Sequence, residues 1–325
     1  MRILVTGASG FVGLAVVEVL LAAGDGVVAL DAAPMPAFAQ THFASLPGAL
    51  RMVVADARDE AAVARAMQGA DRMVIMAAVT AGVEREAAAP EAVIEVNVKS
   101  VATAVRLAVD AKLQRVLHLS SVAVYGADAQ TEGPLSEDMA CRPVTLYGIT
   151  KAAGEATALR LAALGGLDLV AARLGSCFGP WEHATGLRDT LSPQLEILRA
   201  SHRGEPIVLE SDAVRDWLYV RDAAAGLAAL LRAPALRHRV HNVGSGMTWP
   251  LSAWCDAVAP GRPWRTGPSP HIKTWGARPP ASIVRLLTDT PFRPQFDAAE
   301  AAVDWRNFLG RIGVDSFAPR ATGSV

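Results

Sequence analysis

Cysteine is nearly absent: Cys141, Cys177 and Cys255 are the full set, far apart and with no Cys-x-x-Cys. An odd, scattered set argues against a disulfide framework and for free thiols in a reducing compartment. There is no excess of either charge. The formal net charge is -1 and no basic run occurs, which argues against nucleic acid or an anionic membrane as the main partner. Long hydrophobic runs are missing too, since the longest apolar stretches carry charges such as Glu18 or break at glycine, so no segment spans a bilayer. The seven histidines form no His-Glu-x-x-His, and His238 and His241 fall in a strand-like run, so no metal is expected. Met1-Arg2 leads straight into an apolar strand, with no room for a targeting segment, and a soluble cytoplasmic protein is expected.

What is present is apolar mass. The chain has 325 residues, 51% of them hydrophobic, enough for a large core and for more than one domain. Short continuous apolar runs at 3–5, 27–30, 52–54, 73–76 and 116–119 alternate with helical patterns at 11–23, 60–68 and 90–110. Continuous rather than alternating strand hydrophobicity indicates strands covered on both faces, hence a parallel, doubly wound α/β sheet. A further helix at 146–164 and a sixth strand at 167–172 follow. From 175 to about 206 the pattern breaks up. It returns at 207–209, 222–232 and 240–243, and no element is assigned from 245 onward. The expected organisation is a Rossmann domain, 1–174 completed by 207–244, with a smaller substrate-binding cap from 175–206 and 245–325.

Between the first strand and first helix lies Thr6-Gly7-Ala8-Ser9-Gly10-Phe11-Val12-Gly13. Gly7 permits the tight turn, Gly10 lets backbone approach a pyrophosphate, and Gly13 allows close helix–strand packing. The helix then offers unpaired N–H groups and its positive dipole end to phosphate. Asp31 closes the second strand, where a carboxylate accepts from ribose hydroxyls and repels a 2′-phosphate, favouring NAD over NADP. Asp56, after the third strand, is placed to accept from the adenine amino group.

Tyr147-Gly148-Ile149-Thr150-Lys151 sets a phenol and an ammonium four residues apart on one helix face. Tyrosine ionises near pH 10, too high for a base at neutral pH, and a neighbouring lysine charge lowers it. With three tyrosines and four lysines in the chain, chance supplies about 0.04 such pairs. The fifth strand ends in Ser120-Ser121, at the carboxyl end where ligands sit in such sheets. Ser121 is the choice for holding the substrate oxygen, with Ser120 the alternative.

Together, TGASGFVG, Asp31, Asp56, Ala77-Ala78, Asn97 in NVKS, SSVAVYG and YGITK resemble the extended short-chain dehydrogenases/reductases over roughly 1–245, and more narrowly the NAD-dependent epimerase/dehydratase family. The resemblance implies that Gly7, Gly10, Phe11, Val12 and Gly13 cradle the pyrophosphate, Asp31 holds the ribose and Asp56 contacts adenine. It implies that Ala77 and Ala78 line the cofactor path and that Asn97 supports the active-site water and helix geometry. Ser121, Tyr147 and Lys151 become the catalytic set, with Lys151 also on the nicotinamide ribose.

The substrate side departs from the family. Arg173-Leu174-Gly175-Ser176 puts serine where sugar-nucleotide epimerases usually have asparagine. Arg215 in Val214-Arg215-Asp216-Trp217 resembles the family's pyrophosphate-binding arginine, its alternative being an ion pair with Asp216 or a neighbour. Arg278 resembles a second such arginine but is followed by Pro279-Pro280. The insertion 181–189 is expected either to be a solvated loop or to meet substrate through His183 or Arg188. The expected substrate-facing set is Thr80, Ser121, Ser176, Arg188, Arg215 and Arg278.

Three functions follow: an epimerase or dehydratase of a nucleotide sugar that takes its hydride back, a net dehydrogenase of a free sugar, sugar acid or polyol, and a non-enzymatic Rossmann protein. The intact Ser–Tyr–Lys set speaks against the third, and Arg215 favours the first. Helices 92–110 and 146–164 are apolar around most of their circumference, and the resemblance implies that they pair across a homodimer.

Overall fold

A computed structural model of the chain describes residues 1–130, 133–186, 191–269 and 272–312, with the side chains of 127–130 excepted. Seven parallel strands form the central sheet. β1 (Arg2–Thr6), β2 (Gly26–Asp31), β3 (Ala49–Val54), β4 (Arg72–Ile75), β5 (Arg115–Ser121) and β6 (Leu169–Leu174) are joined by a seventh, Val240–Val243. Their order across the sheet is seventh, β6, β5, β4, β1, β2, β3, so the order reverses between β1 and β4. Such a reversal opens the crevice in which doubly wound sheets bind ligands.

Alternate side chains of each strand reach opposite cores. Ile3 and Val5 of β1 pack with the helices Phe11–Ala22 and Val220–Arg232, while Leu4 packs on the other face with Glu60–Met67, Ser100–Asp110 and Leu146–Gly165. This two-sided burial explains the unbroken apolar runs. No helix of the described residues is long and apolar enough to cross a membrane. All three cysteines are free thiols.

Several expectations are corrected. The stretch 90–110 is not one α-helix: Pro90–Ile94 and Ser100–Asp110 flank a π-helical segment, Glu95–Lys99. The strand Ile207–Leu209 does not complete the Rossmann sheet but pairs in parallel with Trp264–Thr266 in the cap. Among the described residues, the region 175–206 contains a helix, Pro193–Arg203, and the chain beyond 245 contains three, Leu251–Val258, Val284–Asp289 and Ala298–Ile312. All seven tryptophans lie after residue 175. Trp181, Trp217, Trp254 and Trp305 are fully buried, and Phe178 meets Trp249 and Trp254 edge-on.

His238 and His241 come together with Asp289, a residue the sequence pattern did not connect to them; the three ligand atoms lie within 4.8 Å of one another. Asp289 Oδ2 accepts from the backbone N–H groups of Arg237 and His238, from His238 Nδ1 at 3.1 Å and from His241 Nε2 at 2.9 Å. With four donors already on that oxygen, the cluster serves as a hydrogen-bonded brace between the edge strand and the end of Val284–Asp289.

Candidate active site

A cleft of about 850 Å³ opens at the carboxyl ends of β1, β2, β4, β5 and β6. Of the residues singled out in the sequence, Gly7, Gly10, Phe11, Val12, Gly13, Asp31, Asp56, Ala77, Ala78, Thr80, Ser121, Tyr147, Lys151, Ser176, Arg215 and Arg278 line it. Asn97 does not, and Arg188 lies outside the described residues.

At the β1 turn the glycines answer to different pressures. Gly7 has φ +72°, and a Cβ there would stand 2.7 Å from the Ala77 nitrogen. At Gly13 a Cβ would fall 2.1 Å from the Gly7 carbonyl oxygen. Those two positions are fixed by packing. A Cβ at Gly10 would meet only the Gly7 oxygen, at 3.3 Å, so what chiefly asks for glycine there lies on the cleft side. Gly10 also caps the helix Phe11–Ala22 without any side-chain bond, and no acidic residue occupies the first turn. Its dipole end thus meets no carboxylate of its own helix, and the cradle fits a dinucleotide pyrophosphate.

Asp31 accepts from Ser9 N–H at 2.9 Å and Ala33 N–H at 3.0 Å, which fixes its carboxylate at the mouth. Burial raises its pKa; the N–H groups of Ala33 and Ser9 and the nearby His183 pull it back. Asp56 is less open than the sequence suggests. Arg58 donates to it through Nε at 3.1 Å and Nη2 at 2.7 Å, holding its carboxyl below the usual range, so an adenine amino group would share oxygens already bonded.

The helix Leu146–Gly165 begins at Thr145, whose hydroxyl accepts from Gly148 N–H at 3.1 Å. That cap, a threonine just before a periodic run, is a helix-start signal carried by the sequence itself. It sets Tyr147, half-buried, and Lys151, 3% exposed, against the cleft. The Lys151 ammonium donates to the Leu119 carbonyl of β5. Burial pushes its pKa down to about 8, against the opposing pull of Glu155. Ser121 is half-buried with its hydroxyl accepting from Ala123 N–H at 3.1 Å, while Ser120 also lines the cleft, buried, with no partner for its hydroxyl.

Asn97 acts behind this helix. Its amide exchanges hydrogen bonds with the Val79 backbone at 2.8 and 3.0 Å and donates to Thr150 at 3.0 Å. It therefore ties the π-helical segment to the loop after β4 and to the turn between Tyr147 and Lys151. Beneath them, Arg173 pairs with Glu155 at 2.7 Å, both buried, and donates to the hydroxyl of Tyr125, which in turn bonds Asn242 at 2.6 Å. Removing one partner of such a buried pair costs about 3–5 kcal/mol, so this network fixes the floor of the site.

At the cap end stand two arginines. Asp216 is not the partner of Arg215: its oxygens accept from Ser245 N–H and Oγ and from Ala281 N–H. Arg215 instead lies 5.6 Å over each of the Trp217 and Trp275 rings, with its Nε buried and unbonded. Burial and the charge of Arg278 push it down to about 10. Arg278 donates to the Val122 carbonyl at 2.8 Å and also keeps a buried, unbonded Nε. Trp275 is sixty residues from Arg215 in sequence, and no local pattern announces their contact.

Fold and cleft together define the class, a dinucleotide-binding α/β enzyme. The chain belongs to the NAD dependent epimerase/dehydratase family, whose model matches residues 3–244. It is similar to UDP-glucose 4-epimerase of Mycolicibacterium smegmatis, 32% identical over 253 residues covering 76% of this chain and 78% of that one. It is also similar to dTDP-glucose 4,6-dehydratase of Streptomyces griseus, 31% identical over 260 residues covering 76% and 74%. Among solved structures, MoeE5 in complex with UDP-glucose and NAD matches with a TM-score of 0.77 over 96% of this chain and 99% of that one, at 25% identity.

Proposed function

We propose that this enzyme epimerises a nucleotide sugar. NAD, held on the Gly7–Gly10–Gly13 turn with its adenosine ribose on Asp31, supplies the hydride acceptor and later the donor. Ser121 orients the substrate hydroxyl, and Tyr147 takes its proton as the carbon is oxidised. Lys151, charged and close in sequence on the same helix face, lowers the cost of phenolate. Tyr147 returns the proton when the hydride is given back to the other face of the carbonyl carbon.

The observation that carries the substrate class is the pair Arg215 and Arg278, with no carboxylate bonded to either among the described residues. Two half-buried cations at the far end of the cleft suit a diphosphate, and the relatives' substrates agree in kind. Dehydration is disfavoured by what lines the cleft. Eliminating a hydroxyl needs an acid for the leaving oxygen and a base for the neighbouring carbon; Asp31 and Asp56 line the adenosine end, and Glu86, whose carboxylate accepts from the Tyr147 N–H at 3.4 Å, is the one acidic side chain that the described hydrogen bonds bring to the tyrosine. Ser176, in place of the family's asparagine, favours the alternative, net oxidation of a smaller sugar or sugar acid.

The test is absorbance at the NADH band across a panel of nucleotide sugars and free sugar acids, with products separated. Product from a nucleotide sugar without net NADH is expected. Stoichiometric NADH from a free sugar acid would move the assignment to the dehydrogenase.

Cofactor choice rests on Asp31. Titration should show NAD bound more tightly than NADP, and Asp31→Ser should shift the preference toward NADP by removing repulsion of the 2′-phosphate. A parent enzyme already preferring NADP would overturn the assignment.

The enzyme assembles as a two-fold dimer through Ser100–Asp110 and Leu146–Gly165. Ile94, Ile149 and Leu164 are exposed on or beside these helices, although Arg106 and Arg160 share the outer surface. Sedimentation at micromolar concentration should give a dimer mass, and Ala156→Glu, at an exposed position of the second helix, should give a monomer. A monomeric parent would end the proposal.

A further inference from the structure

The insertion after β6 is not a solvated loop at its start. Trp181 is fully buried, has φ +72°, and stacks on Phe38 at 5.7 Å with 8° between planes. It also packs on Phe43 and Phe308, and its indole N–H donates to Glu18 at 2.7 Å. Phe38 and Phe43 belong to the helix Ala37–Phe43 between β2 and β3, so this end of the insertion is fastened on the β2 side of the sheet. Glu182, fully buried, accepts from Ser192 N–H at 2.8 Å and from its hydroxyl. A non-glycine residue held in the left-handed region persists only where its surroundings over-determine it, and here they do.

Five residues on, the chain is fastened on the opposite side. Arg85, in the helix Val83–Ala88 that follows β4, donates to the Gly186 carbonyl at 2.8 Å. The segment 181–186 therefore passes from the β2 side to the β4 side, across the crevice at the β1/β4 reversal. Between the two anchors, His183, Ala184 and Thr185 line the cleft together with Ser9, Gly10 and Asp31. His183 Nδ1 lies 2.8 Å from the Trp181 carbonyl, and a carbonyl only accepts, so Nδ1 carries the hydrogen.

We propose that residues 181–186 are a strap over the dinucleotide, closed by Arg85, with His183 and Thr185 contacting the bound cofactor rather than the substrate. The proposal rests on the cofactor assignment above and adds a cause for retention. A cofactor that must give its hydride back in place is served by slow release.

The experiment loads the full-length enzyme with NADH and follows loss of its fluorescence on displacement by excess NAD in a stopped-flow instrument. Arg85→Ala and His183→Ala should each raise the off-rate about tenfold or more, the value of a lost hydrogen bond to a charged or fixed group. Arg85→Lys, which keeps a donor, should fall between parent and Arg85→Ala. Melting temperatures without cofactor should match the parent, separating release from misfolding. Parent-like off-rates in both alanine variants would overturn the strap and leave the cofactor assignment standing. Failure of the parent to bind NADH would overturn both.

Discussion

Tyr147→Phe should bind NAD as the parent does and turn over at least ~100-fold more slowly, the usual worth of a positioned acid–base group. The phenylalanine ring fills the same half-buried position on the helix Leu146–Gly165, so the loss isolates the oxygen. The pH profile carries a second signature. Lys151, with its pKa near 8, is charged below that pH and neutral above it. Once neutral it no longer favours phenolate. Turnover should therefore fall as pH rises through about 8. Near-parent turnover by Tyr147→Phe, or a parent profile flat to about pH 10, would remove Tyr147 and Lys151 from the assigned roles.

Arg215→Ala should raise KM for a nucleotide sugar about 10- to 100-fold while leaving NAD affinity nearly unchanged. A charge-assisted hydrogen bond to phosphate is worth roughly 1.5–3 kcal/mol. Arg215 is held by two indole rings instead of a carboxylate, so its removal strands no buried anion and stability should change less than binding. Unaltered KM would detach Arg215 from the substrate and reopen the assignment of a diphosphate-bearing sugar.

The Rossmann half was legible because its signals are local. Continuous apolar runs marked the strands, the glycine turn marked the first crossover, and Tyr147 and Lys151 stand out in a chain with three tyrosines. The π-helical segment Glu95–Lys99 was not legible, since a one-residue shift in backbone bonding leaves hydrophobic periodicity almost unchanged. The helix Pro193–Arg203 had its signals, Ser192 as cap, Pro193 in the first turn and Gly204 at the end, but lay in a stretch read as irregular. Elsewhere the missing information is long-range. The pairing of Ile207–Leu209 with Trp264–Thr266, the seat of Arg215 on Trp275 and the reach of Arg85 to Gly186 each join segments more than fifty residues apart.

The confinement of every tryptophan to the part of the chain after residue 175 gives the enzyme a built-in optical partition. Excitation at the red edge of the indole band reads only the chain beyond residue 175, and the first 175 residues are dark to it. Trp217 and Trp275, beside Arg215, are the two whose emission a charged substrate at the cap end should perturb. During denaturation, indole emission therefore follows the surroundings of residues beyond 175, whereas far-ultraviolet circular dichroism follows both halves. Coincidence of the two curves would mean that cap and sheet melt as one cooperative unit, as the apolar core they share leads one to expect.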